Sequence, residues 1–277
     1  MMKQNHLTNT LRDGEHIGPD GRIYCDVCGK PRQTLLTFYD PPKLIPSNCD
    51  CMKNAYEQRH DKLRDQERLD KIKRLKAAIA DPALLKQTFE ASKYDTYALR
   101  IARQYASQWP QGEKGELGLL LWGPAGTGKT YLAASIANAL LDRAIPVMIT
   151  SLGKMLGALP NANSGERSAV IDQWTDYPLL VIDDLGVERD TPYVLETVYQ
   201  IIDSRYRKGK PMVITTNLTR EEMDHPDSLE KQRIYQRILE RCASVRVNEI
   251  PIRQLEQEKN MTIARKTLHG TDSPPAA

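Results

Sequence analysis

An apolar run, Gly118-Leu119-Leu120-Leu121-Trp122, leads directly into Gly123-Pro124-Ala125-Gly126-Thr127-Gly128-Lys129-Thr130, and a stretch of helical periodicity, Tyr131 to Arg143, follows. That order leaves the chain little freedom. The pattern G-x-x-x-x-G-K-[ST] between a strand and a helix makes a loop whose glycines turn backbone N–H groups inward, where a Cβ would obstruct them. The helix offers its N-terminus to the same point, so the loop is a cradle for an anion. Lys129 is expected to reach the β- and γ-phosphates of a nucleoside triphosphate, and the Thr130 hydroxyl to ligate Mg²⁺. A glycine-rich turn without a ligand is the plainer alternative, and it does not explain the flanking strand and helix.

Further apolar runs alternate with helical stretches. Ile145–Thr150, Leu179–Ile182 and Pro211–Thr215 read as strands, Tyr97–Trp109 and Thr191–Lys208 as helices, and a short strand is expected at Val245–Val247. Runs this apolar, separated by helices, predict a parallel sheet covered on both faces, an α/β fold. Pro110 and Gly112 end the first helix, and Asp81-Pro82 opens the unit.

A hydrolytic site also needs a carboxylate at the end of a neighbouring strand. Leu179-Leu180-Val181-Ile182-Asp183-Asp184 supplies two. Asp183 is expected to hold Mg²⁺ through its water shell, and Asp184 to orient or deprotonate the attacking water. Val213-Ile214-Thr215-Thr216-Asn217 ends a third strand on an amide able to position that water. Arg237 and Arg241 lie four residues apart on one helix face, with Arg233 a turn earlier and Arg253 beyond. Phosphoryl transfer profits from a guanidinium at the γ-phosphate, often a neighbour's. A salt-bridged surface helix is the other reading of these arginines.

Four of the five cysteines lie near the start, as Cys25-x-x-Cys28 and Cys49-x-Cys51 with 20 residues between the pairs. Four thiolates suit a tetrahedral, structural Zn²⁺. An iron–sulfur cluster and four unrelated buried thiols are the alternatives. So small a module lacks the core to fold alone, and the metal would supply much of its stability. From Met52 to Ala80 there is no Pro or Gly, and the sparse apolar positions Leu63, Leu69, Ile72, Leu75 and Ile79 suit a narrow helix face. That helix is a linker or a partner-binding element.

No apolar run reaches the roughly 20 residues that span a bilayer. Met1–Asp13 is polar and lacks a signal-peptide core. The chain reads as cytoplasmic, with no membrane contact. A net charge of +3 permits nucleic acid without demanding it. The tail Thr271–Ala277 is expected to be disordered. The organisation read from these signals is a metal module at 1–52, a helical linker at 53–88 and an ATPase domain at 89–277.

With these motifs in order, the region from about Phe89 to Arg253 resembles the DnaC/DnaI-like AAA+ helicase loaders, and is similar to the IstB-type transposition ATPases. The residues that carry the resemblance are Gly123–Thr130, Leu179–Gly186, Ile214–Thr219 and Arg233–Arg241 followed by Arg253. The first stretch is common to P-loop proteins; the combination is more specific. The resemblance implies ATP hydrolysis, Asn217 as the sensor on the third strand, an arginine finger at Arg241, a second sensor at Arg253 and a supporting Arg237. At that second sensor the family usually reads Gly-x-Ser-Tyr-Arg, whereas this chain reads Asn248-Glu249-Ile250-Pro251-Ile252-Arg253. The resemblance also implies a homo-oligomeric ring or spiral on ATP, and contact with single-stranded DNA through the segment from Glu188 to Tyr193. There Tyr193 either stacks on a base or packs at a helix start. Loaders of Gram-positive bacteria and their phages carry a similar zinc module that binds the replicative helicase; IstB-type proteins lack it. Three functions follow: a helicase loader, a transposition helper ATPase, and a nucleotide-switched interaction module that hydrolyses poorly.

Overall fold

The computed structural model describes residues 11–109, 117–159, 164–187, 190–248 and 250–269 of the 277. The start of the expected leader, the helix stop at Pro110 and Gly112, Glu188 and Arg189, Glu249, and the expected disordered tail lie outside them. Two compact units divide the chain at Asp70/Lys71.

In the first unit β1 (Glu15–Ile17) pairs with β2 (Ile23–Cys25), and β3 (Gln33–Leu36) with β4 (Lys43–Pro46), both antiparallel. α1 (Asp50–Ala77) begins at the second cysteine pair and crosses the unit boundary. It starts two residues before the expected Met52. Leu63 and Leu69 on it are 59% and 52% exposed, so the apolar stripe is not a buried face there. Among the described residues of this unit only Cys25 and Cys49 are buried.

The second unit opens with a 3₁₀ turn, Pro82–Lys86, capped by the Asp81 carboxylate on the Ala83 N–H at 3.0 Å. α2 (Tyr97–Ser107) follows, capped by Thr96. Then come β5 (Gly118–Trp122), α3 (Lys129–Leu141), β6 (Val147–Ser151), α4 (Leu152–Ala158), α5 (Ser164–Thr175) and β7 (Leu179–Leu185). α6 (Pro192–Lys208), β8 (Met212–Thr216), α7 (Arg220–Asp224), α8 (Leu229–Arg241), β9 (Cys242–Arg246) and α9 (Ile252–His269) complete it. The strands form one parallel sheet in the order β6-β7-β8-β5-β9. Among the described residues no helix is long and apolar enough to cross a membrane.

The strand pattern explains the burial. Side chains alternate across a strand. Leu119, Leu121, Leu179 and Val181 therefore enter one core with α2 and α3, while Leu120, Leu180 and Ile182 enter the other with α6 and α8. Each face is covered, and the expected α/β sheet is the observed one.

Three of the boundaries that differ from the sequence reading bear on the site and its sheet. β6 starts at Val147 rather than Ile145, because Ala144 takes a left-handed φ of 59° and Pro146 offers no ladder donor. β7 continues past Ile182 through both acids to Leu185, with a register shift against β8. β9 begins at Cys242, three residues before the expected Val245. Three helices, α4, α5 and α7, were not read from the sequence at all.

Candidate nucleotide site

The loop Gly123–Thr130 closes over the C-terminal ends of the strands. Gly128 caps α3 in a left-handed conformation, φ 96°, and no side chain bonds the first-turn amides. Those N–H groups are unsatisfied within the helix and point where an anion would sit. Gly126, at φ 80°, is needed for a second reason: a Cβ there would lie 2.8 Å from the Cβ of Arg253. The Arg253 N–H donates to the Gly126 carbonyl at 3.1 Å, so the start of α9 is tied to the loop.

Lys129 is 5% exposed, and its ammonium donates to the carbonyls of Gly123 and Pro124 at 2.8 and 2.7 Å. Burial draws its pKa below the usual lysine range, with Asp184 and Asp183 opposing. A folded-back lysine of this kind is a cation held in reserve for phosphate oxygens.

Asp183 and Asp184 differ sharply. The Asp183 Oδ1 accepts from the Thr130 hydroxyl at 2.9 Å and from the Thr215 hydroxyl at 2.6 Å. Burial raises its pKa, and the two hydroxyls pull the other way. Thr130 and Asp183 thus offer adjacent hard oxygen donors, the set that Mg²⁺ favours. Asp184 adopts φ 58°, in the left-handed region. Its N–H donates to the Thr215 hydroxyl at 2.9 Å, and the strand bulges there. An uncommon backbone state of this kind persists only where neighbours enforce it, and it turns the second acid out of the ladder.

A cavity of about 360 Å³ collects the parts. Lys129, Thr130, Asp184, Asn217 and Arg253 all line it beside Ala125, Gly126 and Gly128. Gln87 and Tyr131 line it too, and neither was singled out in the sequence. Tyr131 directly follows the motif, and its hydroxyl donates to the Thr88 carbonyl at 2.6 Å. It also borders a small adjoining recess of about 20 Å³ with Tyr94, Leu99, Val247 and Ile252.

Arg237 and Arg241 are not among the cavity's lining residues. Gly118 of β5 pairs with Cys242, and Trp122 with Arg246. Arg241, preceding Cys242, therefore sits at the strand starts, whereas the phosphate loop follows the strand ends, about 16 Å away for five residues at roughly 3.3 Å each. Arg237 contacts Asp203 at 2.7 Å, although its N–H is not aimed at the oxygen. Its guanidinium lies between the rings of Tyr199 and Tyr206, at 4.6 and 5.5 Å. Tyr193 is 47% exposed, with the Arg167 guanidinium 5.4 Å over its ring.

The first unit holds the second cluster. Cys25 and Cys28 flank a tight turn in which the Gly29 N–H donates to the Cys25 carbonyl at 2.8 Å; Cys49 and Cys51 sit at the start of α1. All four sulfurs lie within 4.8 Å of one another, with Cys51 at 3.3 Å from Cys25 and 3.2 Å from Cys49. A tetrahedron of Zn–S bonds of about 2.3 Å has edges near 3.8 Å, so the donor set fits that ion. Cys49 is drawn down to about 6: burial opposes this, and the Cys51 thiol, the Met52 N–H and Arg32 outweigh it. Cys51 is pushed up to about 12 because its thiol donates to the sulfurs of Cys49, Cys25 and Cys28. Arg32 also donates to the Cys25 sulfur at 3.8 Å, and is itself paired with the Glu15 carboxylate.

Comparison with known proteins follows the same lines. The family described as IstB-like ATP binding protein matches residues 47–260. The replicative helicase loader DnaC of Escherichia coli (strain K12) is 34% identical over 130 residues, covering 46% of this chain and 51% of that protein. The replicative helicase loader DnaI of Bacillus subtilis is 26% identical over 142 residues, 47% of this chain and 46% of that one. A putative ATP-binding protein in an insertion sequence of Mycobacterium tuberculosis is 29% identical, covering 36% of this chain and 40% of that one. The chain thus spans about half the length of the curated relatives it matches. Among solved structures, a DnaI crystal structure aligns with a TM-score of 0.54 at 23% identity, covering 65% of this chain and all of that one. The DnaC helicase loader aligns at 0.51 and 21%, covering 61% of this chain and all of that one. At these identities the two structures show a shared fold.

Proposed function

The chain belongs to the IstB-like ATP-binding protein family and is a P-loop ATPase of the AAA+ class, and on that premise we propose that it loads a replicative DNA helicase onto single-stranded DNA. One observation carries the loader reading: four thiols converge within 4.8 Å in a unit whose only buried described residues are two of them, Cys25 and Cys49. By the resemblance, loaders of Gram-positive bacteria and their phages carry a zinc module of that kind, and the transposition ATPases lack it. In this reading residues 1–52 are the helicase-binding module, 53–88 a linker and 89–277 the motor, acting in the cytoplasm.

The chemistry proposed for the motor uses its own side chains. The α3 amides and Lys129 bind the triphosphate, with Gly123 to Thr130 as the cradle. Thr130 and Asp183 hold Mg²⁺, which when bound neutralises charge on the β- and γ-phosphates. Asp184 orients the attacking water and accepts its proton, and Asn217 fixes that water's second hydrogen bond. Arg253, tied to Gly126, supports the γ-phosphate. Arg241 lies too far from its own loop to serve it, so it completes the site of a second copy. Turnover then requires assembly, in a ring or spiral. Arg237 supports Arg241 rather than touching nucleotide.

Pull-down of the host's replicative helicase by the full zinc-loaded chain tests the role. Capture that is lost on Cys49→Ser supports loading. Absence of capture, with binding to duplex DNA and a transposase instead, sinks it in favour of the transposition helper. Relatives from insertion sequences, 29% and 31% identical, keep that second reading in view. Equal ATP turnover by the parent and Lys129→Ala would refute the motor chemistry itself.

A further inference from the structure

The sheet end remote from the phosphate loop is organised around one tyrosine. Tyr206 lies in the last turn of α6, and two guanidinium groups rest on its ring: Arg237 at 5.5 Å and Arg241 at 4.9 Å. Arg241 also donates to the Tyr206 carbonyl at 3.2 Å. Two like charges on one ring repel each other. Asp203, whose side chain is 11% exposed, meets both Arg237 and Arg207 at 2.7 Å and offsets part of that charge. Arg237 is therefore held on three sides, by Asp203, Tyr199 and Tyr206, while Arg241 lies at the outer step of the ladder.

The platform itself is fixed from below. Arg205, next in sequence, is fully buried. It donates to the carbonyls of Thr175 at 3.0 Å, Tyr177 at 2.5 Å and Pro178 at 3.2 Å, and to that of Pro211. These carbonyls belong to the segments that lead into β7 and β8. Gly209 then ends α6 in a left-handed conformation, φ 61°. The last turn of α6 is thus pinned to the sheet by four backbone carbonyls.

We propose that Tyr206 is a positioning residue whose ring and carbonyl seat Arg241, presenting the guanidinium to nucleotide bound by a second copy of this chain. The proposal rests on the reading of Arg241 as a residue that acts in the neighbouring site. Arg237 and Asp203 serve the same end by fixing the inner face of the ring. The ring matters and the hydroxyl does not, because the contact is between a cation and an aromatic face.

The test uses full-length variants in an ATP turnover assay. Tyr206→Leu is expected to lose about tenfold in kcat with the KM for ATP held within about twofold, and Tyr206→Phe to keep the parent kcat. Mixing separates positioning from damage. Asp184→Asn subunits bind ATP, hydrolyse poorly, and carry an intact Tyr206 and Arg241. Added to Tyr206→Leu, they should restore turnover, since the phosphate site of Tyr206→Leu is whole and only its donated arginine is misplaced. Parent-level kcat in Tyr206→Leu, equal loss in Tyr206→Phe, or no recovery on mixing would each overturn the proposal. Should Tyr206→Leu fail to fold, Tyr206→Met keeps the volume without the ring and is subject to the same outcomes. Arg241→Ala mixed with Asp184→Asn is the control for the underlying reading. If that pair does not complement, Arg241 does not act in trans. If it does, and Tyr206→Leu behaves like the parent, the platform alone is wrong.

Discussion

The two units solve the problem of stability in opposite ways. The ATPase unit buries whole strands: Leu120, Leu121, Leu179, Leu180, Val181 and Ile182 are fully excluded from solvent. The cysteine unit has two short hairpins and a solvated helix start, and its only buried described residues are Cys25 and Cys49. Apolar burial is worth about 25 cal/mol per Å² removed from water, and the cysteine unit removes little. Its order must come from elsewhere, and four converging sulfurs are the one strong device it has. The difference teaches that the proposed ions would play unequal parts: an accessory in one unit and the equivalent of a core in the other.

Removing the metal should break this comparison most dramatically. Structural Zn²⁺ contributes on the order of 10 kcal/mol to such small modules. Chelation, or Cys25→Ser, is expected to unfold the hairpins while the sheet's thermal transition stays in place. Native-state mass spectrometry would count the ion, and hydrogen exchange would locate the loss. Retained protection at Ile23–Cys25 and Gln33–Leu36 after complete metal removal would show that some other interaction holds the unit.

The reciprocal experiment attacks the sheet. Leu120→Ala leaves a cavity between β5 and the α6–α8 layer, where the side chain is fully buried. Such truncations cost about 2–5 kcal/mol. The expected result is a lower transition for the ATPase unit with zinc content unchanged at ambient temperature. Zinc release by Leu120→Ala under those conditions would mean that the two sources of stability are not separate.

Legibility followed the same division. The phosphate loop, the strand-end acids and the cysteine pairs are local patterns, and each was visible in a stretch of eight residues or fewer. The parallel sheet was visible because its strands are apolar on both faces. What escaped depended on partners distant in sequence. The left-handed turn at Asp184 is stabilised by a hydroxyl from Thr215, on another strand, so nothing in Asp183-Asp184 announces it. The partners of Arg237 and Arg241 come from α6, and only their spacing of four residues was readable. Arg253 departs from the family's usual sequence, yet a backbone hydrogen bond to Gly126 brings it to the loop. α4 and α5 were missed because few of their described residues are buried: Leu152 and Met155 on one, Ile171 and Thr175 on the other.

The smallest expected effect concerns the residue that couples the two acids. Thr215 is fully buried, donates to Asp183 at 2.6 Å and accepts from the Asp184 N–H at 2.9 Å. Thr215→Val keeps the shape and removes both bonds. Burial already raises the pKa of Asp183, and the hydroxyls of Thr215 and Thr130 hold it down. With one hydroxyl gone, the carboxyl must stay protonated to a higher pH. The acid limb of the kcat profile therefore moves towards neutrality, and kcat at neutral pH falls about tenfold, in keeping with the roughly 1–3 kcal/mol cost of an unmet buried donor at Asp184. The direction of the limb is the decisive reading. A limb that moves to lower pH, or an unchanged profile with full activity, would show that the Thr215 hydroxyl does not tune Asp183 and that the bulge at Asp184 holds without it. The effect belongs wholly to the unit whose sheet supplies the precision; the zinc content of the other should not change.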